Sequence, residues 1–119
     1  MAILHFQNAV SAHMLWSQNF HEFLEGRHDS AEFQDVHRDD LCVIGKWLHG
    51  EGSCYCDLNH FNTVKSLHCE LHAIAGQAVE AKSQSNQPLL DDLMGQMDRL
   101  RHELFMSWHA LNDLIGALE

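Results

Sequence analysis

Two histidines four positions apart are the first feature of the sequence that could do chemistry. His68 and His72 lie in the segment VKSLHCELHAIAG, whose apolar residues otherwise have the spacing of an amphipathic helix. Residues four apart lie one above the other on a helix, so both imidazoles can reach one point in space. A buried neutral imidazole needs a partner for each ring nitrogen. The pair therefore predicts either core histidines satisfied by hydrogen bonds or two ligands of one metal ion.

His13 and Cys42 are two further candidate donors. His13 occupies the apolar stripe of the first helical segment, where an aliphatic residue is expected. Cys42 begins the apolar turn CVIGKW and, taken alone, would be interpreted as a small core residue. Together with His68 and His72 these residues offer three imidazoles and one thiolate, a donor set that suits tetrahedral Zn²⁺.

The elements that would position these donors are helices. Apolar residues recur at spacings of three and four over residues 1–26, 59–82 and 89–116, and a shorter helix is predicted over 39–49. Gly26, Gly50 and Pro88 lie where helix ends or starts are expected. No segment has the alternating pattern of a strand. We predict a single all-α domain over residues 1–119, an antiparallel four-helix bundle with an additional short helix that carries the cysteine donor.

Bulk composition excludes several classes of function. The chain has 119 residues, with 17 acidic against 7 basic ones and a net charge of −10. Such a charge disfavours binding to nucleic acid or to an anionic membrane surface. No apolar run reaches the ~20 residues of a membrane span, and the N-terminus has no secretory signal pattern, so we predict a cytoplasmic protein. The eleven histidines are about four times the usual share for this length.

The last predicted helix has more apolar residues than one buried stripe needs. Its main stripe follows a 3.5-residue repeat that Ser107 interrupts, and Phe105, Met106, Trp108 and Ile115 lie beside it. A second apolar face on a small domain predicts a partner, most simply a second copy of the chain in a homodimer.

The motifs AHMLW, LCVIGKW and LHCELH, in this order, resemble those of the chemoreceptor zinc-binding (CZB) domain family. The resemblance implies a four-helix bundle that holds one Zn²⁺ through His13, Cys42, His68 and His72. It also implies a cytoplasmic, usually dimeric, non-enzymatic sensory module attached to a chemoreceptor, and so to chemotaxis, or to a diguanylate cyclase that makes cyclic di-GMP. The C-terminal segment SWHALNDLIGALE is similar to the helix and linker that precede the cyclase domain in zinc-regulated diguanylate cyclases.

Two other functions compete with zinc-dependent regulation. A thiol-based oxidant sensor would use the same Cys42, because oxidation of a zinc-bound thiolate releases the metal. A di-iron bundle protein would need several inward-facing carboxylates. Glu70 lies on the far side of its helix from the two histidines, and the adjacent His102 and Glu103 cannot share a helix face. The sequence therefore disfavours the di-iron site.

Overall fold

The computed structural model describes residues 2–27, 33, 35–40 and 42–118, and most of these residues are helical. Four α-helices follow one another along the chain, and no strand occurs among the described residues. Helix α1 spans Ala2–Leu24, α2 spans Val43–His49, α3 spans Asn59–Ser83 and α4 spans Gln87–Leu118, with a short 3-10 helix at Glu51–Tyr55 between α2 and α3. The prediction of an all-α fold is confirmed over these residues. The predicted helix bounds also included residues 1 and 41, which lie outside the described residues.

The helix ends follow from local backbone chemistry. After α1, Gly26 has a φ of +85°, which glycine adopts without the steric cost of a Cβ. The amide of Arg27 donates back to the Glu22 carbonyl at 2.8 Å, which closes the helix end as a C-terminal cap. Helix α4 begins at Gln87, two residues earlier than predicted, because the side chain of Asn86 accepts a hydrogen bond from the Leu89 amide at 3.3 Å.

The core lies among the three long helices, and α3 and α4 share the most extensive contact. Each helix buries residues three or four positions apart, as an apolar stripe requires. On α1 the buried set includes His13 and Ser17 among apolar residues, and on α3 it includes His68 and His72. The apolar members of these two stripes are Phe6, Ala9, Phe20, Phe23, Leu24, Phe61, Val64, Leu71, Ala75, Ala78 and Ala81.

The buried stripe of α4 differs from the one expected. After Leu104 it continues through Trp108, Leu111 and Ile115, all of which are buried, while Leu114 is partly exposed. The reason is the 3.6-residue period of a straight helix, which moves the buried stripe away from a 3.5-residue repeat. Trp108 and Ile115 therefore belong to the core of the chain, and the prediction that they form an outer face is wrong. Phe105 and Met106 are exposed by 41% and 57%, as that prediction requires.

Helix α2 packs across α1 through Trp47. The Trp47 ring is buried and lies 4.7 Å from the ring of Phe6 and 6.3 Å from that of Tyr55, between centroids. Gly52 of the 3-10 helix faces the same indole, and a Cβ at that position would meet ring carbons at 2.5 Å. These contacts hold α2 against the N-terminal part of α1. Among the described residues, no helix combines the length and apolar character that a membrane crossing requires.

Candidate metal centre

Four donor side chains from three parts of the chain meet inside the bundle. His13 lies in the middle of α1, Cys42 immediately precedes α2, and His68 and His72 lie on successive turns of α3. One donor atom from each lies within 4.8 Å of all the others. The structure thus brings together the four residues that the sequence singled out.

The sulfur of Cys42 is central to this cluster. Its Sγ lies 3.1 Å from Nε2 of His68 and 3.5 Å from Nε2 of His72. A tetrahedral zinc ion with bonds of about 2.0–2.3 Å separates its donors by roughly 3.3–3.6 Å. The imidazole of His13 completes the group, with its ring centroid 5.0 Å from that of His68 and 5.6 Å from that of His72. Three nitrogens and one sulfur can therefore surround one small cation.

Cys42 is positioned by its role as a helix cap. The predicted helix began at residue 39, but α2 begins at Val43 and Cys42 is its N-cap in an extended conformation. The amide of Gly45 donates to Sγ at 3.3 Å, so the sulfur satisfies one of the free N–H groups of the first turn. Gly45 also lets the chain before α2 come close, because a Cβ there would lie 1.7 Å from the carbonyl oxygen of Asp39.

His72 is held in one orientation by a backbone carbonyl. Its Nδ1–H donates to the carbonyl oxygen of Val36 at 2.7 Å, which leaves the lone pair of Nε2 directed to the cluster. Hydrogen bonds of this kind fix the tautomer and ring orientation of metal-binding histidines. Val36 lies in the segment between α1 and α2, and a backbone acceptor has no side-chain signal by which sequence reasoning could have found it.

Burial keeps all three imidazoles neutral at physiological pH. Burial, followed by repulsion from His72 and Arg101, lowers the pKa of His13 to about 3. Burial and the neighbouring imidazoles lower the pKa of His68 to about 2, and burial lowers the pKa of His72 despite its bond to Val36. Neutral imidazoles are the form that binds metal.

The thiol of Cys42 is subject to opposing influences. Burial raises its pKa, while the Gly45 amide directed at the sulfur lowers it. In the absence of a cation the neutral thiol is therefore favoured at pH 7. A divalent cation among the donors would reverse this preference, since metal-bound thiols lose their proton.

Two ring nitrogens of the cluster are buried and have no hydrogen-bond partner among the described residues: Nε2 of His13 and Nδ1 of His68. A buried polar atom without a partner is costly, and native structures rarely contain one without a reason. A cation that accepts the lone pair of His13 Nε2 supplies that reason. The donor types, their proximity and this unpartnered nitrogen all fit a zinc ion.

Aromatic rings enclose the cluster. From α1, Trp16 stacks on His72 at 4.8 Å with an interplanar angle of 27° and also contacts His13 at 5.0 Å. From α4, Trp108 meets His13 edge to face at 5.4 Å. The place of Trp108 beside the cluster was missed because the 3.5-residue repeat assigned it to the outside of the bundle.

The remaining candidates lie apart from the cluster. Cys54, Cys56 and Cys69 are free and exposed. Among the described residues, the one group of donors close enough to share a metal ion contains no carboxylate. Glu70, His102 and Glu103 are exposed. A di-iron site, which requires inward-facing carboxylates, has no support in this arrangement.

Comparison with known proteins agrees with this geometry. A family model described as the chemoreceptor zinc-binding domain matches residues 13–79, which is more than half of the chain and includes all four donors. No curated protein and no solved structure matches the chain significantly.

Proposed function

This chain belongs to the chemoreceptor zinc-binding domain family, and we propose that it is a regulatory domain that holds one Zn²⁺ through His13, Cys42, His68 and His72. The observation that carries the proposal is the convergence of these four donors within 4.8 Å of one another. The three histidines are almost fully buried and neutral, so their lone pairs are available to a cation rather than to protons.

The bound ion would act as a cross-link between α1, the start of α2 and α3. Three neutral imidazoles and one thiolate leave the zinc site with a formal charge of +1. All four tetrahedral positions are filled by protein atoms, and a catalytic zinc site needs an open position for water or substrate. We therefore propose a sensory role rather than an enzymatic one, in which zinc binding favours one packing of the helices over another.

The arrangement that we propose is an antiparallel four-helix bundle in one domain over residues 1–119. Its members are the three long helices and α2, the short helix next to Cys42, so the described residues hold no fifth α-helix in addition to the bundle. Two hydrogen bonds between α1 and α4 support opposite chain directions. Gln7 near the start of α1 bonds to Asn112 near the end of α4 at 3.1 Å, and Ser17 bonds to Arg101 at 3.1 Å.

The proposed output is a signalling protein. We propose that the domain acts in the cytoplasm as a homodimer and controls an attached or separate diguanylate cyclase, and so cyclic di-GMP, or a chemoreceptor in chemotaxis. The exposed Phe105 and Met106 on α4 support a protein partner there. The net charge of −10 argues against nucleic acid and against an anionic membrane surface as partners.

A second candidate function is oxidant sensing through Cys42. The relative exposure of the four donors supports it. Cys42 is only partly buried, whereas the three histidines are almost fully buried, so solvent reaches the sulfur more easily than the imidazoles. An oxidant that reaches the sulfur would remove the thiolate and weaken the site. Zinc release by a chelator and by a mild oxidant, followed side by side in the same preparation, separates the two inputs.

Metal content tests the site assignment. The purified wild-type protein should carry about one zinc ion per chain, and His68→Ala and Cys42→Ser should lose most of it. Serine at position 42 keeps an N-cap for α2, so its effect reports on the lost sulfur and not on a lost cap. His60→Ala and Cys69→Ser are matched controls on α3, because both side chains are exposed. Stoichiometric zinc in both site variants would remove the assignment.

The dimer is tested by mass in solution. Light scattering at micromolar concentration should give twice the chain mass for the wild type, and Met106→Glu should shift the population towards monomer. A monomeric wild-type protein would contradict the homodimer proposal.

A further inference from the structure

Trp108 connects α4 to a cluster to which α4 contributes no donor. Its side chain is 94% buried, and its ring lies 5.4 Å from the His13 ring with the two planes at 79°. His13 is in turn one of the four proposed zinc ligands. A change in the bonding of His13 therefore directly affects a contact of Trp108 on α4.

The two rings carry complementary polar atoms that lack partners. Nε2 of His13 and Nε1 of Trp108 are both buried without a hydrogen-bond partner among the described residues. An indole Nε1–H can only donate, and Nε2 of a neutral imidazole protonated at Nδ1 can only accept. Nε1–H of Trp108 can therefore donate a hydrogen bond to Nε2 of His13 when no cation is bound to that nitrogen.

The Trp108 ring has room to move. Two cavities of about 300 Å³ and 200 Å³ lie next to it between α1 and α4, and Met14, Phe105 and Trp108 line both of them. On either side of His13 a hydrogen bond links the two helices, because Asn112 accepts from Gln7 and Ser17 accepts from Arg101. The indole can therefore move within this space without a separation of the two helices.

From these contacts we propose that Trp108 and zinc compete for Nε2 of His13. In the zinc-free protein Trp108 Nε1–H donates to this nitrogen, and zinc binding displaces the donor and returns the indole to the cavity side. The proposal rests on the zinc site proposed above and assigns Trp108 as the positioning residue through which α4 responds to the metal. Because Phe105 lines the same cavities and is partly exposed, the shift changes the surface that α4 offers to a partner.

Indole N–H signals in ¹⁵N-resolved NMR spectra of the wild-type chain test the competition directly. Chelation of zinc should move the Trp108 Nε1–H signal downfield and slow its exchange with solvent, as expected for a new hydrogen bond. Trp47 is the internal reference, because its Nε1 is also buried and unpartnered among the described residues while its ring packs on Phe6, Tyr55 and Phe61. A Trp108 signal that shows neither a downfield shift nor slower exchange on chelation would overturn the proposal, whatever the Trp47 signal does.

Zinc affinity of Trp108→Phe gives a second, independent test. Phenylalanine keeps an aromatic ring against His13 but cannot donate, so the zinc-free state loses its hydrogen bond and zinc should bind about two- to tenfold more tightly. If Trp108 has a purely structural role, the variant should bind zinc more weakly than the wild type or equally well. Either result would contradict the proposed competition. Metal content measured in the same samples keeps the two proposals apart. Failure to bind zinc at all refutes the site, whereas zinc binding with an unmoved Trp108 signal refutes only the coupling.

Discussion

Acidification of the zinc-free protein offers a quantitative test of the buried histidine cluster. The pKa values of His13 and His68 are about 3 and 2 in the folded chain, against 6.5 for an unperturbed histidine. Because the unfolded chain then binds more protons than the folded one, the free energy of unfolding falls as the pH drops below 6.5. The cluster therefore leaves the free energy of unfolding unchanged above pH 7 and lowers it progressively below pH 7.

The magnitude follows from the two pKa values. Between pH 7 and pH 5.5 each of His13 and His68 lowers the free energy of unfolding by about 1 kcal/mol or slightly more. The two together lower it by about 2–3 kcal/mol. The lowered pKa of His72 adds to the loss in the same direction. A small domain has a total stability of only about 5–15 kcal/mol, so the effect is large.

The assay is urea denaturation of chelator-treated protein at pH 7 and pH 5.5. The His68→Leu variant is the comparison, since it removes one buried titrating group, and its loss of stability should be smaller by about 1 kcal/mol. Equal unfolding free energies of the wild type at the two pH values would refute the reasoning. They would mean that the imidazoles accept protons in the folded chain and so are not buried together.

Three further predictions concern Gly45, Gly95 and the four cysteines. Gly45→Ala should destabilise the protein by about 2 kcal/mol or more and weaken zinc binding, because its Cβ would meet the Asp39 carbonyl at 1.7 Å. Gly95→Ala, in α4 with no atom within 4 Å of the added Cβ, should instead stabilise by about 0.5–1 kcal/mol in the same thermal melts. In the zinc-loaded protein a thiol reagent should modify the three exposed cysteines quickly and Cys42 only after chelation. Rapid modification of all four thiols before chelation would contradict a sulfur held by zinc.

Sequence reasoning anticipated the helices and the meeting of four side chains, because helical spacing constrains which residues share a face. His68 and His72 had to point the same way once α3 was a helix, and both lie in its buried stripe. Their role as zinc ligands stays a prediction until metal is measured. The assignment of His13 to an inner stripe depended on the same regular period.

The features that sequence reasoning missed depend on packing and on the backbone. The carbonyl of Val36 orients His72, yet the identity of a backbone acceptor leaves no trace in the residue type. Trp108 was placed outside because a 3.5-residue repeat and a 3.6-residue helix diverge over the length of α4. The start of α2 moved from residue 39 to Val43 because the side chain of Cys42, and not that of Asp39 or Asp40, accepts a hydrogen bond from the first turn.

The sulfur of Cys42 serves the first turn of α2 and the donor cluster at the same time. A chemical modification of this atom and the departure of the ion therefore both disturb the same helix end. Helices α3 and α4 would undergo the same change in both cases, whether the stimulus is scarcity of metal or an oxidising agent. The proposed regulatory domain would then respond to the state of a single atom. Its discrimination between the two stimuli would depend on how easily each of them reaches the sulfur of Cys42.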